Sequence, residues 1–399
     1  MECVFHHSSR QFNYRGSWRE ILKQLLEKSI RKGRETNPDP DTNPVDSLES
    51  YYSFIDRVVK ALPWEISPHK EYSSLYTSID QGMGCLYFIC NQPLEELEDK
   101  GYFHNSLQYH EPFRSWWIKM LSGYGQFLNT EDSWNDEYYE NVKKDPAFDL
   151  QGNTYEDPWS WICFNDFFAR RLSDPSVRPI DGKDDPSVVV SPADSKPQGF
   201  WQIDDTGRII AEIGEENGIS IKTGKLTDID ALLDGSEYAE KFYGGTITHT
   251  FLDITDYHRY HFPVSGTVKE VRIIAQDDAA GGVIVWDEKN KCYYEYFSET
   301  IGWQSIETRG LVVVEIEGGG YAAILPVGMC QVSSVNFEES VVNGAEVKKG
   351  DPLGFFLFGG SDVIMIFSED AGFNMTAEAG KHVLMGNEIG RLERSDSGE

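Results

Sequence analysis

The spacing of the apolar residues changes near the middle of the chain, and this change limits the folds that the sequence can adopt. Up to Ser173 apolar positions recur at helical spacing, as in Ser17–Gly33, where leucines and isoleucines share one stripe. After Pro179 short runs of β-branched and aromatic residues alternate with glycine turns. The sequence therefore predicts an α+β protein, with a helical N-terminal domain over residues 1–175 and a β-rich domain over residues 176–399.

The helical half offers several recognisable ends. Ser17 is the predicted N-cap of the first helix, with Glu20 at the capping-box position and Gly33 at its end. Pro175–Asp185 is polar and rich in proline and aspartate, and we expect it to link the two domains. Further helices are predicted at Val45–Leu62, Ser73–Cys90 and Glu111–Leu128.

Composition narrows the classes of partner. The chain has 66 acidic and 36 basic residues, a formal net charge of −30. Nucleic-acid binding and docking to an anionic membrane both favour a basic surface, so neither is expected. No apolar run approaches the roughly 18 residues of a membrane-spanning helix, and the N-terminus lacks the apolar core of a secretory signal. Six cysteines without a CxxC pair suit reduced thiols, so a cytoplasmic protein without stable membrane insertion is expected.

A Gly-Gly-Ser sequence between two apolar strands is the first candidate for chemistry. Gly359, Gly360 and Ser361 interrupt the run LGFFLFGGSDVIMIF. Such a tripeptide is ordinary hairpin-turn chemistry. Two adjacent glycines also allow strained backbone beside a hydroxyl, where the Ser361 oxygen could attack the preceding carbonyl. Both interpretations remain open on the residues alone.

Two histidines and an aspartate are the other candidates. His258 and His261 lie in FLDITDYHRYHFPVSGTV, and their spacing allows a zinc pair, structural histidines or acid–base catalysis. A zinc ion would need a third ligand, which the neighbouring sequence does not provide. Asp194 follows a strand in VVVSPADSKPQG, where it suits either a turn cap or a functional carboxylate.

Taken together, these motifs resemble the phosphatidylserine decarboxylase family of pyruvoyl-dependent enzymes. The resemblance rests on SPAD, DYHRYHFPVSG, the run GxFxFGGS, the aromatic segment WICFNDFFARRL and the following Arg178-Pro179-Ile180, in that family's order or context. It covers about Trp161 to Phe367. The sequence departs from the family where FGGSD replaces a Leu-Gly-Ser-Thr run, although the Gly-Ser junction is kept.

The N-terminal half adds a looser resemblance. WWIKMLSGYGQFLNTEDSW, residues Trp116–Trp134, is similar to the extra domain of a soluble branch that includes fungal tryptophan decarboxylases. This likeness bears on the substrate rather than on the chemistry. It leaves the helical domain open as a lid or as the surface of a homo-oligomer.

The family resemblance implies roles for four residues. Asp194, His261 and Ser361 would form a self-processing triad that splits the chain between Gly360 and Ser361 and turns Ser361 into a pyruvoyl group. This group would act as the cofactor and electron sink, with no metal and no pyridoxal phosphate. His258 would act at the substrate carboxylate or in protonation.

Three functions remain to be separated. The acidic charge favours a free L-amino acid as substrate, with aromatic, tryptophan-like side chains as the first candidates. The alternative is decarboxylation of phosphatidylserine to phosphatidylethanolamine. VNGAEVKKGDPLGFFLFGG also looks like the strand pair of a barrel-sandwich carrier domain, but no lysine at a hairpin tip is evident for modification, and the histidine pair would be unexplained.

Overall fold

The computed structural model describes residues 12–98, 105–210, 219–221, 224–226, 228–275, 283–296, 307–328 and 335–393. Most of the helical residues precede most of the strand residues, so the predicted α+β class is confirmed. The helices of the described residues are α1 Phe12–Thr36, α2 Leu48–Val58, α3 Leu75–Phe88, α4 Phe113–Leu128, α5 Asp136–Lys143, α6 Phe164–Phe168 and α7 Asp230–Leu233.

The strands form five antiparallel sheets within the same ranges. In chain order they are β1 Val188–Val190, β2 Lys196–Ile203, β3 Ile209–Ile210, β4 Ile219–Ile221, β5 Gly224–Leu226, β6 Thr246–Phe251, β7 Arg259–His261, β8 Gly266–Ile274, β9 Val283–Asp287, β10 Cys292–Tyr296, β11 Arg309–Ile316, β12 Tyr321–Gly328, β13 Val335–Phe337, β14 Glu346–Val347, β15 Pro352–Phe356, β16 Gly360–Phe367, β17 Phe373–Met375 and β18 Glu388–Leu392.

An eight-stranded sheet forms the centre of the β-rich part. Its strand order is β14-β8-β11-β12-β16-β6-β2-β3, so β16 is an interior strand between β12 and β6. Leu311–Val314 and Val363–Phe367 are buried throughout. Continuous apolar runs of this kind suit strands that are covered on both faces, unlike the alternating pattern of a half-exposed strand. The sheet thus places the Gly-Gly-Ser sequence at the start of a central strand.

The first helix differs from its prediction at both ends. It begins at Phe12, so Ser17 lies inside the helix and is not its N-cap, and it continues past Gly33 to Thr36. Gly33 has a packing role instead, because a Cβ there would lie 2.7 Å from Cδ1 of Ile89. Close approach to a neighbouring segment therefore explains this glycine, and sequence alone could not distinguish it from a helix end.

Packing divides the chain into two compact units. The first combines residues 1–73 and 77–119 with residues 283–296, and the second contains residues 74–76, 120–282 and 297–399. The β9–β10 hairpin joins the first unit through Tyr293, whose backbone N–H donates to Oε1 of Gln81 at 2.7 Å. The predicted division after residue 175 stays a prediction about independently folding segments, since these units describe packing only.

Two chemical properties of the described residues bear on the expectations from composition. None of their helices has both the length and the apolar character required to cross a bilayer. Cys85, Cys90, Cys163 and Cys292 are free thiols. Burial raises the pKa of Cys85 to about 12, which keeps this thiol protonated and unreactive near neutral pH.

Candidate active site

A β-bulge occupies the predicted cleavage junction. Gly359, with φ 111°, adopts a backbone conformation that favours glycine and leads into β16. The pairing with β12 then moves two residues along β16, from Gly360 to Asp362, while β12 moves by one residue across Val327–Gly328. Ser361 is therefore the extra residue of a bulge, a feature often found beside active sites. The backbone on either side of the Gly360–Ser361 bond departs from regular strand geometry.

His261 is a buried, neutral imidazole. Its Nδ1 lies 2.9 Å from the carbonyl oxygen of Gly350, which can only accept, so Nδ1 carries the proton. Nε2 is then the acceptor, and it receives the Tyr257 hydroxyl at 3.2 Å. Burial lowers the pKa of His261. The Nε2 atom of this side chain is thus unprotonated near neutral pH, and the Tyr257 hydroxyl occupies it.

His258 occupies a more apolar environment. Its ring stacks on Phe168, with ring centroids 3.9 Å apart, and its Nε2 donates to the carbonyl oxygen of Asp253 at 3.0 Å. Burial, aided by the positive charge of Arg170, lowers the pKa of His258 to about 3. Its Nδ1 is buried and makes no hydrogen bond to any residue that the structure describes. His258 therefore offers one buried acceptor, Nδ1, that has no donor among the described residues.

Asp194 is held by an arginine rather than by a histidine. Arg178 donates to its carboxylate through Nη2 at 2.7 Å and through Nε at 3.1 Å, and the backbone N–H of Met385 donates at 2.8 Å. No hydrogen bond joins this carboxylate to the His261 ring among the described residues. The negative charge still acts on His261, opposing the effect of burial by raising its pKa.

Backbone contact brings the aspartate loop to the second histidine. The N–H of His261 donates to the carbonyl oxygen of Pro192 at 2.8 Å, two residues before Asp194. The structure therefore places Asp194 and His261, two of the predicted triad residues, on segments that are joined by a backbone hydrogen bond. The triad itself stays a prediction, and of its side chains only those of Asp194 and His261 are among the described ones.

The aromatic segment before the β-rich part supports the histidines. The N–H of Phe358 donates to Oδ1 of Asn165 at 3.0 Å, and Arg259 donates through Nε to the carbonyl oxygen of Ala169 at 2.8 Å. The ring of Phe168 meets Phe358 edge to face, with centroids 5.3 Å apart. One short helix thus contacts both the strand end before the glycine pair and the segment that carries the two histidines.

Arg170 completes this support from the same segment. Its side chain is fully buried, its Nη2 donates to the carbonyl oxygens of Thr255 at 2.8 Å and Asp256 at 3.0 Å, and its guanidinium lies 4.3 Å from the ring centre of Tyr155. These bonds fix the turn that precedes His258. Sequence reasoning used Arg170 and Arg178 only as marks of resemblance and missed both roles. Their position inside the family-like motifs was the only signal in the sequence, and it does not identify their partners.

A metal site finds no support in the part of the chain that the structure describes. No group of three or more histidine, cysteine, aspartate or glutamate side chains there could hold an ion. His261 engages a carbonyl and a hydroxyl, and His258 engages a carbonyl. The predicted pyruvoyl group, in contrast, would be made from Ser361 itself. The glycine at φ 111° and the bulge fit that origin.

Comparison with known proteins gives a consistent picture. The chain is 31% identical over 255 residues to phosphatidylserine decarboxylase proenzyme 3 of Schizosaccharomyces pombe, covering 61% of this chain and 24% of that protein. It is 26% identical over 304 residues to the decarboxylase iboD of Amanita muscaria, covering 69% and 83%. A phosphatidylserine decarboxylase proenzyme of Fusobacterium nucleatum is 30% identical over 210 residues, covering 53% and 61%.

The chain thus spans about a quarter of the first of these relatives and most of the second. The sequence model of phosphatidylserine decarboxylase matches residues 164–391, which include most of the aromatic segment, both histidines and the Gly-Ser junction. This match extends over more than half of the chain and confirms the resemblance seen in the motifs. The chain belongs to the phosphatidylserine decarboxylase family.

Proposed function

We propose that this chain is a self-processing, pyruvoyl-dependent carboxy-lyase that cleaves itself between Gly360 and Ser361. The observation that carries the proposal is the bulge, in which Ser361 is the extra residue directly after two glycines. A peptide bond within a regular strand is held by its ladder hydrogen bonds. At the bulge this regular pairing is interrupted, which makes the Gly360 carbonyl easier for the neighbouring hydroxyl to attack. The relatives named as proenzymes support the same reading.

The cleavage begins at the Ser361 hydroxyl. His261 Nε2, released by the Tyr257 hydroxyl that it now accepts, takes its proton. The oxygen attacks the Gly360 carbonyl carbon, and the peptide C–N bond breaks, which leaves an ester and a free amine. Removal of the α-proton of residue 361 then expels Gly360 as a carboxylate. Water replaces the nitrogen of the remaining enamine, and ammonia leaves. One water is consumed, one ammonia is released, and residue 361 becomes the pyruvoyl group.

Residues of the chain would then serve the decarboxylation. The pyruvoyl carbonyl supplies an electron sink for the electrons left on the α-carbon when CO2 departs. His258 presents Nδ1 as an acceptor, because its proton is held at Nε2 by the carbonyl oxygen of Asp253. The rings of Phe168 and Phe358 exclude water from this side of His258. A buried, neutral imidazole with a free Nδ1 lone pair suits accepting a hydrogen bond or a proton from the substrate.

For the substrate, we propose a free L-amino acid, with aromatic amino acids tested first. Two observations support this choice. The chain carries 30 more acidic than basic residues, which disfavours docking to an anionic bilayer. The relative iboD also aligns with 69% of the chain, against 53% for the phosphatidylserine decarboxylase of Fusobacterium nucleatum.

Phosphatidylserine is the second candidate, favoured by the names of the relatives from Schizosaccharomyces pombe and Fusobacterium nucleatum. One experiment separates the two. Release of CO2 is measured from a panel of amino acids, including tryptophan, tyrosine and phenylalanine, and from vesicles that contain phosphatidylserine. We expect an amine product without vesicles or detergent. Turnover of the vesicles alone would reverse the choice of substrate and keep the chemistry. Turnover of neither by fully cleaved protein would count against the carboxy-lyase proposal.

A further inference from the structure

A second histidine–carboxylate pair lies next to the cleavage junction. His249 is in β6 and Asp362 is the first residue after Ser361 in β16. Their atoms Nε2 and Oδ2 are 3.4 Å apart, and the two side chains are 1% and 0% exposed. This is an ion-pair distance at a fully buried position. Neither member has a role in the cleavage chemistry described above.

The strand register shows what this pair holds. In the antiparallel ladder His249 faces Ile364, and Asp362 faces Phe251. His249 and Asp362 are therefore diagonal neighbours on the same face of the sheet, a contact that fixes one strand against the next. The pair is formed one residue from the bulge that contains Ser361.

The position of a bulge can shift, because a neighbouring residue of the same strand can take the place of the extra residue. A buried contact beside the bulge prevents this shift. Sliding β16 by one residue would turn Asp362 to the other face of the sheet. It would then leave His249 and bury a carboxylate without its partner, which is costly in the interior of a protein. The buried pair thus favours the single register in which Ser361, and no neighbour, is the bulged residue.

We propose that His249 and Asp362 are positioning residues for self-cleavage, which lock the bulge at Ser361 and so hold the Gly360–Ser361 bond in its reactive geometry. The inference rests on the proposed function. It adds a second requirement for self-cleavage besides the triad: the His249–Asp362 pair must hold β16 in its register. A misplacement of about 1 Å at a reacting bond can slow a reaction by about a hundredfold.

The test compares cleavage rates of Asp362→Asn, His249→Gln and the double variant. Each is made by cell-free synthesis, and the cut fraction is followed by gel and intact mass. We expect each single variant to cleave roughly ten- to a hundredfold more slowly than the wild type. The double variant should be no slower than the slower single variant, since both changes remove the same contact. The proposal would be overturned if the two single variants cleaved at the normal rate. It would also be overturned if the double variant were slowed by the product of the two single effects.

Stability is measured separately on uncleaved protein that also carries Ser361→Ala. A merely structural pair would lower the melting temperature and leave the cleavage rate of the folded fraction unchanged, and this result would also overturn the inference. Thr246→Val is the matched control, because Thr246 is a buried residue at the other end of the same β6–β16 ladder. It should cleave normally. Failure of the wild type itself to cleave would refute the proposed function, which distinguishes the two failures.

Discussion

Arg178 clamps Asp194 with two donors, at 2.7 Å through Nη2 and 3.1 Å through Nε, and both side chains are buried. The position of the Asp194 carboxylate is therefore fixed by Arg178 and does not depend on a contact with a histidine. Its charge acts on His261 through space and through the loop that holds the His261 backbone at Pro192. The arginine thus determines where the negative charge of the site lies.

Replacing Arg178 should test this arrangement. In Arg178→Met the Asp194 carboxylate stays buried without its cation, which should destabilise the fold by about 3–5 kcal/mol. Chemical denaturation of protein that also carries Ser361→Ala measures the loss without interference from cleavage. Arg391→Met is the control, because its pairs with Asp185 and Glu388 are exposed and screened by water, so their loss should change the stability little. An equal loss of stability in Arg178→Met and Arg391→Met would contradict a special role of Arg178 in holding Asp194.

The proposed cleavage depends on the hydroxyl of Ser361. The wild type should give two chains, residues 1–360 and residues 361–399, the second lighter by one ammonia than simple hydrolysis would leave it. Ser361→Ala should remain full length and inactive, because it lacks the attacking oxygen. Intact mass spectrometry measures both results. Full activity of the uncut variant would disprove the mechanism.

The two histidines should separate into two steps. His261→Ala removes the base at Nε2, so cleavage should fall by about a hundredfold or more. His258→Ala should still cleave, at least in part, and should then release CO2 poorly. A gel for cleavage and a CO2 assay on the cleaved fraction provide the two readouts. Normal processing of both variants would show that the role assigned to His261 is wrong.

The limits of sequence reasoning are visible in particular residues. Ser361, His261 and the SPAD loop could be proposed as site residues from short motifs, because the chemistry expected of them requires fixed residue types in a fixed order. The bulge at Ser361 could not, since a register shift depends on pairing with β12, which is distant in sequence. The same holds for the Arg178–Asp194 clamp and for Gly33, whose packing against Ile89 imitates a helix end.

Burial of His258 should make stability depend on pH in a defined direction. Its pKa is about 3 in the folded chain and about 6.5 when unfolded. Between these values the unfolded chain binds one more proton, so stability falls as the pH drops from about 6.5 towards 3. His258→Gln should reduce this slope by up to about 1.4 kcal/mol per pH unit.

His382 provides a control of opposite sign. Its hydrogen bond to Asp256 raises its pKa, so its contribution is complete at low pH and is lost as the pH rises through the folded value. His382→Gln should therefore weaken the protein more at pH 5 than at pH 8. Denaturation curves of both variants, each with Ser361→Ala, measure the two slopes. An unchanged slope in His258→Gln would mean that His258 is not buried as a neutral ring.

The cofactor can be tested by its carbonyl chemistry. Hydroxylamine should inactivate the cleaved enzyme, because it attacks a ketone, and it should add mass only to the fragment that begins at residue 361. Uncut Ser361→Ala protein is the control and should gain no mass. Chelators and removal of pyridoxal phosphate should leave activity unchanged, since the electron sink is made from the chain itself. Activity that is lost to a chelator and restored by zinc would instead revive the metal reading of His258 and His261, and would require a ligand from outside the described residues.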